Sequence, residues 1–316
     1  MSSSLFFILP ALGGYALVSH YLLKNPLVLH KKKRTGFYCT HISHRGGCGE
    51  RIEGTIEAFT HAVECGSEML ELDCHLTLDG HVVVSHDENL LRQTGHNVSV
   101  SSLRLQVRRR YSTGRDRKIA LLEDVFRKFP HIPVSIEIKE NNMQLIEKVS
   151  NLVKHYKREE ITVWASVDSS IMKKCRKTNS SMPYSFTMGR GLILLLLFYT
   201  GLLPFAPLGE SLLQFYLPHI FNRTYVPEKR WLRNRLTVCL LEMIAMRKSL
   251  FEHLAARGLQ VHLFVCNKDE DIKLAFDVGA TGVMSDYPSL LTSYLTLATE
   301  PGVRGEGVKP FGNRDK

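Results

Sequence analysis

Short apolar runs alternate with amphipathic helical patterns from about residue 39 to residue 298, which predicts an α/β fold with a parallel sheet covered on both faces. Two further observations narrow this to a (β/α)8 TIM barrel. A chain of 316 residues matches one large barrel, and no GxGxxG or P-loop motif marks a nucleotide-binding doubly wound sheet. A core of this size needs no disulfide framework, and the seven cysteines form no CxxC pair.

Residues 5–23 carry no charge and are followed by Lys24 and the basic run 31–34. A helix of that length reaches about 28 Å, enough for a bilayer's hydrocarbon core. A signal peptide would carry positive charge before the apolar run and a small-residue cleavage site after it. Here the basic cluster lies on the carboxyl side and no such site follows, so residues 1–24 read as a retained N-terminal membrane anchor helix. Residues 25–38 then form a basic linker, and the positive-inside rule places the following chain in the cytoplasm. Pro10, Gly13, Gly14 and His20 leave a tilted or interfacial placement open.

Within the body, 39–298, strand-like runs fall at 40–43, 69–76, 81–85, 134–138, 161–164, 184–187, 215–220, 261–265 and 282–284. Helical patterns fall at 55–65, 121–129, 145–156, 170–178, 247–256, 268–276 and 288–297, with Asp168 and Asn267 at helix starts. An apolar insertion at 191–209, interrupted by Pro204 and Pro207, reads as a segment that spans, dips into one leaflet or touches the membrane, with a buried helix as the alternative. A true span there would carry the second half of the barrel across the bilayer. Residues 299–316 read as a flexible tail.

The net charge of +10 resides almost entirely in two segments, 24–34 and 104–118, so the rest of the chain is close to neutral. No aromatic-rich RNA motif or DNA-reading pattern accompanies them, which argues against a nucleic-acid partner. Anionic lipid headgroups fit better, because one basic segment adjoins the apolar anchor.

The chemistry-bearing residues sit at strand ends. Glu71 and Asp73, two apart in the run 69–76, share one face of an apolar strand, where two carboxylates repel unless a cation holds them. A divalent ion is the economical answer. Glu137 and Lys139 repeat the spacing on a second strand, as a third ligand and a cation for an anionic substrate. His44-Arg45-Gly46-Gly47 follows the first strand as a loop able to approach a phosphate, and His86-Asp87 ends the run 81–85. In a barrel these positions converge on the face where the βα loops gather. Metal for phosphate charge, with two imidazoles as acid and base, suits phosphoester cleavage.

At these residues the chain resembles the glycerophosphodiester phosphodiesterase family. The matching stretches are HISHRGG at 41–47, ELD at 71–73, TLDGHVVVSHDENLLRQTG at 77–95, IEIK at 136–139 and GATGVMSDYP at 279–288. The anchor and the GLLPFAPL segment at 201–208 resemble the membrane-bound subgroup that acts as lysophospholipase D. The resemblance implies one bound Mg2+ or Ca2+ held by Glu71, Asp73 and Glu137. It implies His44 and His86 as the acid–base pair, with a ligand role for His86 as the alternative, and Arg45 and Lys139 on the phosphate.

The implied reaction cleaves lysophosphatidylcholine, lysophosphatidylethanolamine or N-acyl lysophospholipids to lysophosphatidic acid and free headgroup, at an endoplasmic reticulum or perinuclear membrane. Alternatives at this stage are a phosphodiesterase of water-soluble glycerophosphodiesters and a non-catalytic lipid-binding barrel. The expected partners are the lysophospholipid and the bilayer, with no obligate protein partner inferred. Three departures stand out. Gly54 stands where the family has Asn, Phe264 stands where Trp is usual, and 103–118 is shorter and more basic than expected.

Overall fold

A computed structural model describes residues 5–105, 119–227 and 229–299. The expectations for residues 106–118 and for the tail beyond 299 lie outside them. In chain order the elements are α1 (Leu5–Lys24), β1 (His41–Ser43), α2 (Ile56–Glu64), β2 (Met69–Leu76), β3 (Val82–Val84) and α3 (Leu91–Thr94). Then come α4 (Leu122–Lys128), β4 (Val134–Glu137), α5 (Met143–His155), β5 (Thr162–Ala165), α6 (Ser169–Thr178), α7 (Met188–Tyr199) and β6 (Leu212–Tyr216). The chain continues through α8 (Arg235–Ala245), α9 (Lys248–Ala256), β7 (Gln260–Phe264), α10 (Asp269–Asp277), β8 (Gly282–Ser285) and α11 (Pro288–Thr299).

The strands pair in the order β5-β4-β2-β1-β8-β7-β6, each neighbour parallel. Single parallel bridges, Trp164 to Tyr184 and Ser185 to Leu212, carry the pairing from β5 to β6, so residues 184–185 take the remaining place in a TIM-barrel-like ring. All eight residues of β2 are buried, as expected of a parallel strand covered by helices. Side-chain caps start several helices: Thr55 accepts from the amide of Ala58, Asn142 from Leu145, and Asp168 from Ser170 and Ile171.

Three strand expectations change. The run at 81–85 forms β3, which leaves the ring and pairs antiparallel with the end of β2. The tight turn at Asp79-Gly80, with Gly80 at φ 78° and Thr77 Oγ1 donating to Asp79, permits only a hairpin, since parallel neighbours need a long crossover. The run expected at 215–220 starts three residues earlier and gives way to a 3-10 turn at Pro218–Ile220, because proline cannot extend a paired strand. The run at 184–187 is reduced to its two bridges.

The apolar insertion becomes α7 and a 3-10 turn at Leu203–Phe205. Its N-cap, Thr187, follows the bridging segment, so α7 leaves the end of the ring where strands point. Twelve residues make a helix of about 18 Å, too short to cross a bilayer. Among the described residues no helix is long and apolar enough to cross a membrane. The carboxyl half of α1 docks on the body: Tyr15 donates to the carbonyl of Thr200 (2.6 Å), Ser19 to that of Gly201 (2.7 Å), and His253 of α9 to that of Leu23 (2.8 Å). Its other side exposes Leu9, Leu12, Leu17 and Val18.

His262, on β7, is wholly buried, and burial holds its imidazole down at about 4 against an ordinary 6.5. The folded state therefore binds fewer protons than the unfolded chain between about pH 6.5 and pH 4, so this contribution is lost as pH falls through that window. At about 1.4 kcal/mol per pKa unit, stability attributable to His262 is expected to drop by about 2 kcal/mol from pH 7 to pH 5. Chemical unfolding at the two pH values checks this: the drop shrinks in His262→Gln, and an undiminished drop assigns the effect to other groups.

Candidate active site

The site is built on five strands, β1, β2, β3, β4 and β8, and the turns that follow them. Beyond β1 the chain turns through three successive left-handed residues, Arg45 (φ 50°), Gly46 (φ 79°) and Gly47 (φ 82°). A β-carbon at Gly46 would meet the Phe59 ring at 2.7 Å and one at Gly47 would meet Pro288 at 2.7 Å, so both positions require glycine on two counts. The turn aims the Arg45 amide at Glu71 Oε2 (2.9 Å) and sets His44 Nε2 4.0 Å from the same oxygen.

Parallel pairing of β2 with β4 puts Asp73 directly opposite Glu137. One carboxylate oxygen each from Glu71, Asp73 and Glu137 lies within 4.8 Å of the others. Lys139 Nζ reaches Asp73 Oδ1 at 2.7 Å and Glu137 Oε2 at 4.0 Å. Burial, followed by repulsion from Asp73, raises Glu71 above the usual carboxylate range and lifts Glu137 to about 7. Three converging carboxylates, those of Glu71 and Asp73 buried and that of Glu137 partly so, with one lysine are short of positive charge, and an all-oxygen donor set of this kind fits a hard divalent cation such as Mg2+ or Ca2+.

The two histidines differ in surroundings. His44 Nδ1 donates to Asp286 Oδ1 at 2.6 Å. Burial disfavours its charge, but Asp286 and Glu71 outweigh burial and raise its pKa. Asp286 itself, although half-buried, is drawn down to about 2 by His44, Cys48 and Asn267. His86 Nδ1 donates to Asp87 Oδ1 at 2.5 Å, and there burial prevails and lowers the pKa. Asp87 in turn accepts from Arg92 Nε (2.5 Å). Arg92 also pairs with Glu53, and Glu53 with Arg45 (3.3 Å), so a charged chain links the two histidine loops.

The structure thus brings together His44, Arg45, Glu71, Asp73, Glu137 and Lys139. His86 stands at the edge of this group, within electrostatic reach of Asp73, Lys139 and Arg45. Sequence reasoning missed Asp286, Glu53, Arg92 and Asn267. Asp286 carried a signal, a carboxylate one residue past a strand end. Asn267 corrects an expectation: the helix begins after Lys268 without a side-chain cap. Asn267 instead donates to Asp286 Oδ2 (2.6 Å) and accepts from the Asp286 amide (2.9 Å).

Gly54 proves suited to its place. It sits at φ 69°, its amide donates to the Arg45 carbonyl (3.3 Å), and its carbonyl accepts from Ala120 (3.2 Å). Phe264, at the end of β7, joins Tyr216 (4.3 Å between centroids) and through it Tyr225 (4.4 Å) in an aromatic wall. The wall lies within the field of Glu137 and Arg45, which both act on the Tyr216 hydroxyl.

Comparison with known proteins agrees with this geometry. Residues 44–290 match the glycerophosphoryl diester phosphodiesterase family. The chain is 47% identical over 307 residues to human lysophospholipase D GDPD1, covering 93% of this chain and 98% of that one. It is 46% identical over 308 residues to human lysophospholipase D GDPD3, covering 93% and 97%. The fold resembles a glycerophosphoryl diester phosphodiesterase domain from Mycobacterium tuberculosis, with a TM-score of 0.66 at 16% identity over 82% of this chain and 100% of that one.

Proposed function

The chain belongs to the glycerophosphoryl diester phosphodiesterase family, a family of phosphoric diester hydrolases, and from that premise we propose that it is a membrane-anchored, divalent-metal-dependent lysophospholipase D. It would cleave lysophosphatidylcholine, lysophosphatidylethanolamine or N-acyl lysophospholipids to lysophosphatidic acid and the free headgroup. The observation that carries the reading is the cluster of three carboxylates flanked by two carboxylate-held histidines at one end of the barrel.

Glu71, Asp73 and Glu137 would hold Mg2+ or Ca2+, which when bound supplies charge neutralisation for the phosphate. Arg45 and Lys139 orient the phosphodiester; the buried Nε of Arg45 lacks a hydrogen-bond partner among the described residues and is available to it. Asp286 fixes the His44 ring with Nε2 toward the carboxylate cluster. Faced by two carboxylates, His44 is suited to hold a proton and give it to the departing headgroup oxygen. The carboxylate beside His86 is shared with Arg92, which favours a neutral ring able to accept a proton from the attacking water or neighbouring hydroxyl. The P–O bond on the headgroup side breaks as the new one forms.

Lipid specificity is supported by the surface. α7 exposes Leu192, Ile193, Leu196 and Tyr199, and α8 exposes Leu236, Leu240 and Met243. Tyr199 donates to the carbonyl of Ile244 (2.9 Å), so the two helices present adjoining apolar surface. Adjoining exposed apolar side chains of this kind fit a bilayer, with α1 as the anchor. The exposed basic residues Lys24, Lys31, Lys32 and Arg34 then face anionic headgroups on the cytoplasmic side of an endoplasmic reticulum or perinuclear membrane.

The test is headgroup release by the detergent-purified chain, with Mg2+, with Ca2+ and with chelator. Cation-dependent choline release from lysophosphatidylcholine, faster than from glycerophosphocholine, is expected; the reverse preference assigns the enzyme to water-soluble diesters. A Leu192→Asp, Leu196→Asp double variant is expected to lose activity on bilayers while keeping it on micelles, and equal losses on both would remove the docking role.

A further inference from the structure

We infer that His44, Cys48 and Asp286 form a second cation site, distinct from the carboxylate cluster, which takes a thiophilic divalent ion such as Zn2+ and thereby inactivates His44. The inference concerns control of the enzyme, and its binding test stands independently of the reaction proposed above.

Cys48 lies one short turn after His44, and the amides of Gly47 and Cys48 both close on the His44 carbonyl (2.8 and 3.4 Å). That turn brings the thiol beside the ring. Cys48 Sγ donates to Asp286 Oδ1 at 2.9 Å, the same oxygen that accepts from His44 Nδ1 at 2.6 Å, and Sγ lies 4.0 Å from Nδ1. The three potential ligand atoms fall within 4.8 Å of one another. Sulfur, imidazole nitrogen and carboxylate oxygen together form a donor set that favours Zn2+ over Mg2+ or Ca2+, the converse of the all-oxygen cluster on the other side of the ring.

Two further features suit the site to an ion. Asn267 Nδ2 holds Asp286 Oδ2 at 2.6 Å, which leaves Oδ1 turned to the thiol and the imidazole, the kind of outer support that orients metal ligands. Cys48 also borders a cleft of about 450 Å3, lined by Gly49, Glu50, Ile52, Glu53 and Arg92 among others, so the residue adjoins open space. Binding displaces the Cys48 thiol proton and the proton on His44 Nδ1 to solvent. The metal-bound ring keeps its Nε2 proton but is no longer an imidazolium, so it is a far weaker acid toward the leaving group.

The neighbouring group Glu50, His61 and Cys65 also lies within 4.8 Å, but there the thiol faces the histidine rather than the carboxylate: Cys65 Sγ lies 3.7 Å from His61 Nε2, the nitrogen that itself meets Glu50 Oε2 at 2.5 Å. It serves as the control. The full chain is titrated with Zn2+ against a chromogenic chelator, and the zinc environment is read by X-ray absorption. Wild type is expected to show a sulfur ligand. Cys48→Ser is expected to bind more weakly by a factor on the order of 100 or more, since even loss of an outer partner costs 10–100-fold, while Cys65→Ser binds like wild type. Each variant's headgroup release is compared with its own zinc-free rate, and zinc inhibition is expected in wild type and Cys65→Ser but not in Cys48→Ser. A zinc shell without sulfur, or loss of the ion in Cys65→Ser rather than Cys48→Ser, overturns the site. If headgroup release fails altogether, the binding data still decide it.

Discussion

Exchange of His44 for alanine is expected to lower kcat for headgroup release by a factor on the order of 10²–10⁴, the usual contribution of a positioned acid or base. The ring touches both halves of the site, Asp286 at 2.6 Å through Nδ1 and Glu71 at 4.0 Å through Nε2. Removing it deletes the proton donor but none of the carboxylate cluster, so cation binding and KM change far less than kcat. The diagnostic is that split, measured beside circular dichroism of the variant. Asp286→Asn is the companion: it keeps the shape but removes the charge that holds a proton on His44, so a smaller fall in kcat is expected, with the alkaline limb of the pH profile moved to lower pH. A His44→Ala enzyme with full kcat and raised KM would make His44 a binding residue.

Asp73→Asn is expected to abolish cation-dependent activity together with cation-dependent stabilisation. Asp73 stands between Glu71 and Glu137, with Lys139 Nζ at 2.7 Å, and its charge is the largest electrostatic contribution to the raised pKa of both glutamates. A bound ion present at 100 times its Kd adds about 2.7 kcal/mol to stability, so Mg2+ or Ca2+ is expected to raise the Tm of wild type and not of the variant. The chelated variant gains from relief of repulsion and loses the Lys139 ion pair, so its Tm should stay near that of the chelated wild type. Thermal unfolding with cation and with chelator reads this without any substrate. An equal cation shift in both proteins would place the ion elsewhere.

Much of the site was legible because its residues sit at short spacings on single strands. Glu71 and Asp73 declare a shared face through the two-residue period of a strand, Lys139 follows two residues beyond Glu137 at the end of β4, and His44-Arg45-Gly46-Gly47 is a loop whose glycines sit where only glycine fits. The partners that tune those residues were not legible. Glu53 reaches Arg92 across 39 residues, and Asp286 reaches His44 across 242, distances at which no local pattern survives.

Strand boundaries failed for a related reason. A propensity for extended structure is local, whereas membership of the ring depends on the direction of the connection. Thus 81–85 extends as expected yet folds back antiparallel on β2, and 184–187 holds its place in the ring through bridges alone. The amphipathic helix α8 at Arg235–Ala245 escaped notice, although its exposed leucines adjoin α7.

By itself, then, the sequence determined the barrel-like α/β class, the carboxylates and histidines proposed to carry the chemistry, and the apolar segments at 5–23 and 191–209, all written in periodicity and short spacing. Tertiary structure alone decided which histidine is flanked by two carboxylates, which asparagine bonds Asp286 rather than capping a helix, and which thiol lies beside the His44 ring. The charge state and reactivity of a buried group depend on what lies within about 4 Å, and folding, not chain order, chooses those neighbours.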